Sequence, residues 1–249
     1  MRLAARAACA LACLALAACA TSEGPPFRPI AGEEDALHAR FAAATRDAEA
    51  RQALRATGKL RVKSKDGTVS VQEVVLVQRP ARMRLESLNV LGQAQSVFIL
   101  DDDLFRFFDG QRVEDGDTKA DTLRERLGLT LEPSEAIRAL LAEPLASDWP
   151  PREILGRGDE RELRGATQSV RFAAGGELSR LSALDARGQV RWQAEYDEWR
   201  DVPGGRYPFS LVLSFPETSL RAELELTQVE LNPKLDPALF TVARRDPAR

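Results

Sequence analysis

The stretch that decides the fold class is VRWQAEYD, at residues 190–197. Apolar or aromatic side chains occupy every second position after Val190, and charged or amide side chains lie between them. A period of two is typical of a β-strand that buries one face and leaves the other in water. The pattern returns at residues 209–215 (FSLVLSF) and 220–226 (LRAELEL), and PGG at residues 203–205 supplies a turn. The sequence therefore predicts antiparallel strands joined by hairpins.

The same alternation extends toward the N-terminus. It covers residues 60–108 and 170–183, and with the stretches above it predicts about ten or eleven strands. Strands do not alternate with long helices, which excludes a parallel, Rossmann-like architecture. Residues 144–160 contain three prolines and two glycines and are predicted to form a loop.

Helical patterns occur at the start of this region and in its middle. Residues 33–55 begin with acidic side chains, which the helix dipole favours in a first turn. Their apolar side chains form a single stripe, at Leu37, Phe41, Ala44 and Ala48. Leu123 and Leu127 predict a short helix at 121–128, and a second short helix begins at Pro133 and ends before Pro144. The predicted fold class is mainly β (α+β), with an N-terminal helix and short central helices covering an antiparallel sheet.

Composition excludes several classes of function. The chain has 249 residues with 35 basic and 38 acidic side chains, a formal net charge of −3, which argues against a nucleic-acid partner. Its three cysteines are Cys9, Cys13 and Cys19, so the rest of the chain has no thiol. This excludes cysteine nucleophiles, disulfides and Cys/His zinc sites from the body of the protein.

The N-terminal residues form a targeting signal. Two arginines precede an apolar run at residues 7–18 that is too short to span a bilayer. The run ends in Leu16-Ala17-Ala18-Cys19, which resembles the bacterial lipobox and implies cleavage before Cys19 and lipidation of that residue. The alternative is an ordinary signal peptide with an incidental cysteine. Ala20 is not Asp, so the sorting rule for bacterial lipoproteins favours the outer membrane over the inner membrane.

No motif points to catalysis, a metal or a cofactor. The chain has no phosphate-binding loop and no dinucleotide fingerprint. Asp101-Asp102-Asp103 is predicted to be a hairpin turn, because adjacent strand residues point to opposite faces and cannot converge on a metal. Residues 114–117 (EDGD) lack the spacing of a calcium-binding loop and are predicted to be a loop. His38 lies off the apolar stripe and is predicted to lie on a helix surface. From the lack of motifs we expect a protein that is not an enzyme.

The apolar face of the sheet allows two interpretations. It can be an ordinary packed core, or it can line a cavity that holds acyl chains, and periodicity does not separate the two. The candidate cavity residues are Met83, Leu85, Leu140, Leu141, Phe172, Trp192, Tyr196, Phe209, Leu211, Leu213, Phe215, Leu224 and Leu226.

The order of elements and several motifs resemble the LolB family of outer-membrane lipoprotein receptors. Residues 88–92 (LNVLG) are similar to that family's Asn-Pro-Leu-Gly loop, with Val90 in place of proline. Residues 137–145 (IRALLAEPL) resemble its second short helix and the ending of that helix. Trp192 followed by Tyr196 matches as well, and the similarity covers residues 33–232. The ending with Leu239 and Phe240 departs from the family and looks more like related lipoproteins of the same fold.

The resemblance implies a half-open antiparallel β-barrel, capped by helices, with a hydrophobic cavity. It implies acceptance of acylated lipoproteins from a soluble periplasmic carrier and insertion of their acyl chains into the outer membrane. Leu91, next to Val90, matches a loop leucine that helps the family deliver lipid to the bilayer. The alternative for Leu91 is a buried anchor of the turn. No cofactor and no metal are implied. The alternative is an envelope lipoprotein of the same fold that binds another lipid or acts as an assembly subunit.

These inferences divide the chain into four parts. Residues 1–18 are the predicted signal peptide, and residues 19–32 are the lipidated cysteine and a tether rich in proline and glycine. Residues 33–242 are the predicted β-barrel domain, and residues 243–249 are a charged tail. The mature protein is expected to be anchored by lipid in the outer membrane and to face the periplasm.

Overall fold

The computed structural model describes residues 25–118 and 130–241. The predicted signal peptide, the lipidation site Cys19, the helix expected at 121–128 and the charged tail lie outside these residues.

The chain forms a short edge strand, a helix and then two runs of strands separated by a second helix. The edge strand is β1 (Arg28–Pro29), and helix α1 (Glu34–Glu49) follows it. The first run comprises β2 (Ala53–Ser64), β3 (Gly67–Gln78), β4 (Arg82–Leu88), β5 (Ala94–Asp101), β6 (Leu104–Phe108) and β7 (Val113–Asp117). Helix α2 (Pro133–Leu140) precedes the second run, which comprises β8 (Glu153–Arg157), β9 (Glu160–Arg164), β10 (Gln168–Phe172), β11 (Leu178–Leu184), β12 (Val190–Val202), β13 (Gly205–Phe215) and β14 (Leu220–Leu231). Short 3-10 turns lie at Ala146–Asp148 and Pro237–Phe240.

All described strands belong to one antiparallel sheet of 14 strands. Its order is β1-β8-β9-β10-β11-β12-β13-β14-β2-β3-β4-β5-β6-β7. Each run is a meander, and the two meanders are joined where β14 pairs with β2, from Arg221 opposite Lys63 to Leu231 opposite Leu54. Strands β1 and β7 are the two edges of the sheet. Because they do not pair with each other, the barrel is only half-open. The predicted fold class is confirmed.

The sheet has more strands than predicted because some short strands lack apolar alternation. Strand β8 lies inside the segment predicted as a loop, and β7 includes the predicted loop at 114–117, so both loop predictions are wrong there. Strand β7 is held by an ion pair from Arg106 to Asp115 at 2.8 Å. The ring of Phe105 packs over Gly116, where a Cβ would lie 2.5 Å from it. Strand β1, within the predicted tether, pairs with β8.

Helix α1 ends at Glu49, so the helix predicted at 33–55 is too long, because Ala53 already begins β2. Helix α1 buries Leu37, Phe41 and Ala48 of the predicted stripe, and Ala44 is half-buried. Glu34 and Asp35 lie in its first turn and Arg46 in its last, as the helix dipole favours. Leu37 and Phe41 are buried in the main core, and the Phe41 ring lies 5.4 Å from that of Trp149. The helix is thereby fixed over the second meander.

Helix α2 begins at Pro133, as predicted, and is capped at both ends. Glu132 and Glu135 form a capping box at its start. At its end, the backbone oxygen of Ala139 accepts a hydrogen bond from the Tyr196 hydroxyl at 2.7 Å. The Tyr207 hydroxyl donates to the Leu140 oxygen, and the Arg51 guanidinium donates to the Leu141 oxygen at 2.7 Å. These side chains satisfy carbonyls that a helix end leaves unpaired, and they fix α2 against the sheet.

A second, smaller core covers the outer face of β3 and β5. Leu235 and Phe240, from the C-terminal segment, pack there against Leu76 and Ile99. The Arg84 guanidinium donates to the Leu239 backbone oxygen at 2.9 Å. This segment explains why the latter half of β3 is apolar on both faces.

Candidate functional site: an apolar cavity and a protruding loop

An apolar cavity of about 260 Å³ lies on the inner face, where the two meanders meet. Strands β2 to β6, β13 and β14 form its wall, and α2 covers one side of it. The lining residues are Leu60, Val62, Glu73, Val75, Met83, Leu85, Phe98, Leu100, Phe107, Leu131, Ala136, Leu140, Leu211, Leu213, Phe215, Leu220, Ala222 and Leu224. Every described lining side chain except that of Glu73 is apolar.

The strand register explains this wall. Val75 lies opposite Leu85, which lies opposite Phe98, which lies opposite Phe107, so one row of inward positions crosses four strands. Alternate residues point to the same face, so each strand contributes every second side chain to the wall.

The candidate residues named from the sequence lie in two places. Met83, Leu85, Leu140, Leu211, Leu213, Phe215 and Leu224 line the cavity. Leu141, Phe172, Trp192, Tyr196, Phe209 and Leu226 do not line it and are buried in the main core. The structure therefore brings the first set together around one space, and it packs the second set against other side chains.

Several lining residues were missed by sequence reasoning. Leu60, Val62, Leu220 and Ala222 belong to strands whose alternation is visible, so their inward direction could have been found. Glu73 carries a weaker signal, as an acidic residue at an inward position next to Val75 in an apolar strand.

Glu73 is a carboxyl group in an apolar environment. It is only 3 % exposed, and its Oε2 accepts a hydrogen bond from the Ser87 hydroxyl at 2.7 Å. Burial raises the pKa of Glu73 from 4.5 to about 7, while the Ser87 hydrogen bond lowers that pKa and the charge of Glu86 raises it. The carboxyl group consequently changes charge near neutral pH.

The loop between β4 and β5 projects two apolar side chains into solvent. Val90 is fully exposed and Leu91 is 78 % exposed. The Asn89 side-chain oxygen accepts hydrogen bonds from the backbone N–H groups of Leu91 and Gln93, at 2.9 and 3.0 Å. Gly92 adopts a φ of +77°, which favours glycine. The loop is therefore a defined turn, and Leu91 does not anchor it from inside.

A second, polar hollow of about 330 Å³ lies between α1 and the β10–β11 turn. Arg40, Arg51 and Arg206 line it together with Asp47 and Glu177. Burial lowers the pKa of Arg51, which is held by its hydrogen bond to the end of α2. This hollow mixes both signs of charge and contrasts with the apolar cavity.

The residues tested for other chemistry occupy structural positions. Asp101-Asp102-Asp103 forms the turn between β5 and β6, with Asp102 at a φ of 55°. His38 is exposed on α1, and its ring stacks on that of Trp149 at 4.7 Å. Across residues 25–118 and 130–241, no group of three or more acidic, histidine or cysteine side chains could hold a metal ion.

Solved structures with the same architecture cover most of this chain. A LolA superfamily protein from Nitrosomonas europaea superposes with a TM-score of 0.54 at 12% identity, over 81% of this chain and 97% of that one. The fold is LolA-like. A putative outer membrane lipoprotein-sorting protein domain from Vibrio parahaemolyticus gives a TM-score of 0.51 at 9% identity, over 80% of this chain and 94% of its own. A DUF1329 family protein from Desulfovibrio piger gives 0.52 at 10% identity, over 82% of this chain and 97% of that one.

These structures support a LolA-like fold, and they do not single out the LolB family predicted from the sequence. No protein-family profile matches the chain, and neither does any curated protein. The LolA-like fold is therefore what the chain shares with these structures. No helix within the described part of the chain is long and apolar enough to cross a membrane.

Proposed function

We propose that this protein is a lipid-anchored lipoprotein of the outer membrane that binds the acyl chains of other lipoproteins in its cavity. In this proposal it receives the acylated cargo from a soluble periplasmic carrier and inserts it into the outer membrane. The observation that carries the proposal is the cavity of about 260 Å³, whose described walls are apolar except at Glu73. The Vibrio parahaemolyticus neighbour, described as a putative lipoprotein-sorting domain, supports the same direction.

The physical need for such a cavity follows from the hydrophobic effect. Each methylene moved out of water contributes about 0.8 kcal/mol, so an acylated protein cannot cross an aqueous compartment without shelter. A dry cavity of roughly 150 Å³ holds benzene, so by proportion 260 Å³ accommodates about ten carbons of a chain. The rest of a long chain must extend beyond this space, which suits a site that has to release its ligand.

The exposed apolar residues support a membrane-facing end. Leu91 and Val90 project from the β4–β5 loop. The other large apolar side chains exposed in the described part of the chain are Val69, Val113 and Val190. They lie next to the β2–β3, β6–β7 and β11–β12 turns, which an antiparallel meander places at the same end of the sheet as the β4–β5 loop. A cluster of exposed apolar groups at one end is typical of a surface that meets a membrane or a partner.

This proposed transfer is non-covalent. Acyl chains move between two apolar environments without a bond being formed or broken, so no catalytic residue, metal or cofactor is required. The Val90–Leu91 loop has the role of a contact with the bilayer, and the cavity has the role of the temporary binding site.

The test is reconstituted transfer of an acylated lipoprotein from its carrier to liposomes that carry the full-length protein. We expect the wild type to move cargo into the liposome fraction, and Leu91→Glu to bind cargo without delivering it, because a carboxylate resists entry into hydrocarbon. Leu91→Ile is the matched control and should deliver normally. Delivery by Leu91→Glu at the wild-type rate would remove the loop from the mechanism.

Two outcomes concern the function itself. If the wild type binds acyl chains but never delivers them, it is a lipid binder or an assembly subunit of the same fold. If it binds no acylated cargo at all, the proposed function is wrong.

A further inference from the structure

The cavity wall contains a buried carboxyl group whose hydrogen-bonding capacity is largely unused. A carboxyl group offers about four acceptor positions, and Glu73 receives one hydrogen bond within the described part of the chain, from Ser87. Buried acids in proteins are normally paired with a cation or surrounded by donors. No basic side chain of the described residues forms an ion pair with Glu73, although it is 3 % exposed.

The two residues paired with Glu73 on the neighbouring strands supply only one side-chain donor between them. Glu73 lies opposite Ser87 on β4 and opposite Gly58 on β2. Gly58 has no side chain, and a Cβ there would lie 2.2 Å from the backbone oxygen of Glu225 on β14. Only glycine fits that close approach of β2 to β14. The neighbour of Glu73 on that side therefore contributes no atoms that could satisfy it.

Glu73 lies within the length of the cavity, because Val75 lines it on one side and Leu60 and Val62, opposite Val71 and Val69, line it on the other. The row of inward residues that includes Val75 and Leu85 is fully apolar, and the next row, at Glu73 and Ser87, is polar. Ser87 is two residues before Asn89, where the β4–β5 loop begins. The Glu73–Ser87 pair thus interrupts an otherwise apolar wall on β3 and β4, and the apolar lining continues beyond it on β2.

We propose that Glu73 and Ser87 form a polar subsite for the head of an acyl-chain ligand. It takes heads that donate a hydrogen bond, such as an amide N–H or a hydroxyl, and it rejects a free carboxylate. This inference rests on the proposed function and adds the chemical class of ligand that the cavity selects. An N-acylated or glycerol-linked chain fits this description, and a free fatty acid does not.

Charge and hydrogen bonding both support this selectivity. An N–H or O–H group can donate to Glu73 in either protonation state of the carboxyl. Above neutral pH the carboxyl is ionised, because its pKa is about 7, and it then repels a second carboxylate. Glu86 adds charge of the same sign, while Ser87 contributes only a hydroxyl.

The test compares two ligands with the same chain, monopalmitoylglycerol and palmitate, on the full-length protein at about pH 8.5, where Glu73 is ionised. Displacement of an environment-sensitive fluorescent probe from the cavity gives both affinities. We expect the wild type to prefer monopalmitoylglycerol by about tenfold or more. Glu73→Gln keeps the size of the side chain and removes its charge, so it should bind palmitate about tenfold more tightly and change its affinity for monopalmitoylglycerol by less than about threefold.

Two further variants separate charge from packing. Glu225→Gln makes the same change of charge at an exposed position of β14 whose neighbours Leu224 and Leu226 are buried, so it should leave the preference unchanged. Ser87→Ala retains the carboxylate and should still reject palmitate. An unchanged preference in Glu73→Gln, or loss of the preference in Glu225→Gln, would overturn the subsite.

The failure of the subsite can be distinguished from the failure of the function. If both ligands bind the wild type with equal affinity, the cavity binds acyl chains and the subsite does not select their heads. If neither ligand displaces the probe, the proposed function fails and the subsite fails with it.

Discussion

The two meanders of this sheet have similar sequence patterns but different interiors. The inner face of β10 to β12 is filled by large side chains, such as Phe172 and Trp192, which are fully buried. The inner face of β2 to β5 carries Leu60, Val75 and Leu85, and it borders an open space. The filled side also supplies the tyrosines that hold the end of α2. Most of the second meander is thus closely packed, and the first meander, together with β13 and β14 at the seam, forms a wall that leaves an open space.

The largest expected effect comes from opening a hole in the filled half. Trp192→Ala removes a fully buried indole and should lower the free energy of unfolding by about 3–5 kcal/mol. The measurement is a urea titration followed by circular dichroism. A loss below about 1 kcal/mol would mean that this half is as loosely packed as the other.

The next effect is a pH dependence that arises in the open half. Because burial raises the pKa of Glu73 from 4.5 to about 7, the folded state holds a proton that the unfolded state has released between these values. Stability is therefore greatest below about pH 4.5 for this group and falls by about 3 kcal/mol as the pH rises through 7. Comparison of urea midpoints at pH 5 and pH 8 should show this fall in the wild type and not in Glu73→Gln.

Two other carboxyl groups, those of Glu162 and Glu223, have pKa values that are shifted in the opposite direction. Ion pairs and hydrogen bonds hold the pKa of Glu162 and of Glu223 below the usual range. Their contributions to stability are present above that range and are lost only as the pH falls below it. A wild-type protein whose stability rises between pH 5 and pH 8 would contradict the assignment to Glu73.

A smaller effect is expected where the filled half holds α2. Tyr207→Phe removes the hydrogen bond to the Leu140 backbone oxygen and leaves that buried carbonyl without this donor. The cost should be about 1–3 kcal/mol. Because the end of α2 is then held less firmly, its amide hydrogens should exchange faster. Leu140 at this end also lines the cavity. Unchanged exchange would show that Arg51 and Tyr196 hold the helix end without Tyr207.

The smallest effect on stability, and the most specific for function, comes from filling the cavity at the seam where β14 meets β2. Ala222→Leu adds methyl groups inside the cavity, where there is space for them, so stability should change by less than about 1 kcal/mol. Binding of an acyl ligand should fall by about tenfold or more, because the guest and the new side chain compete for one volume. Ala194→Leu, in the filled half, is the opposite control. Ala194 is fully buried, so the larger side chain has no space there and should destabilise the protein.

The sequence predicts which face of a strand is buried more readily than what that face encloses. The alternation in VRWQAEYD and LRAELEL assigns Trp192 and Leu224 correctly to the interior, but only the assembled sheet places one in packed core and the other beside a cavity. Packing depends on which strands become neighbours, and β14 meets β2 across more than 150 residues of chain. Glu73 was missed for a related reason, since the burial of its carboxyl arises from strands that are distant in sequence.

Strands at the edges of the sheet or next to them were the least predictable part of the fold. Strands β7 and β8 are held mainly by backbone pairing, which any side chain permits, so their sequences lack the period of two. The motif at residues 88–92, in contrast, was visible from the sequence because it needs Asn89 and Gly92 for its turn.

The seam between β14 and β2 has a consequence for the order in which the protein becomes competent. The cavity uses side chains from β2, near the start of the domain, and from β14, near its end. A polypeptide in which β14 has not yet formed therefore has an incomplete apolar cavity, however much of the preceding sequence has folded. The cavity is complete only once β14 has paired with β2, so the first meander alone cannot enclose it.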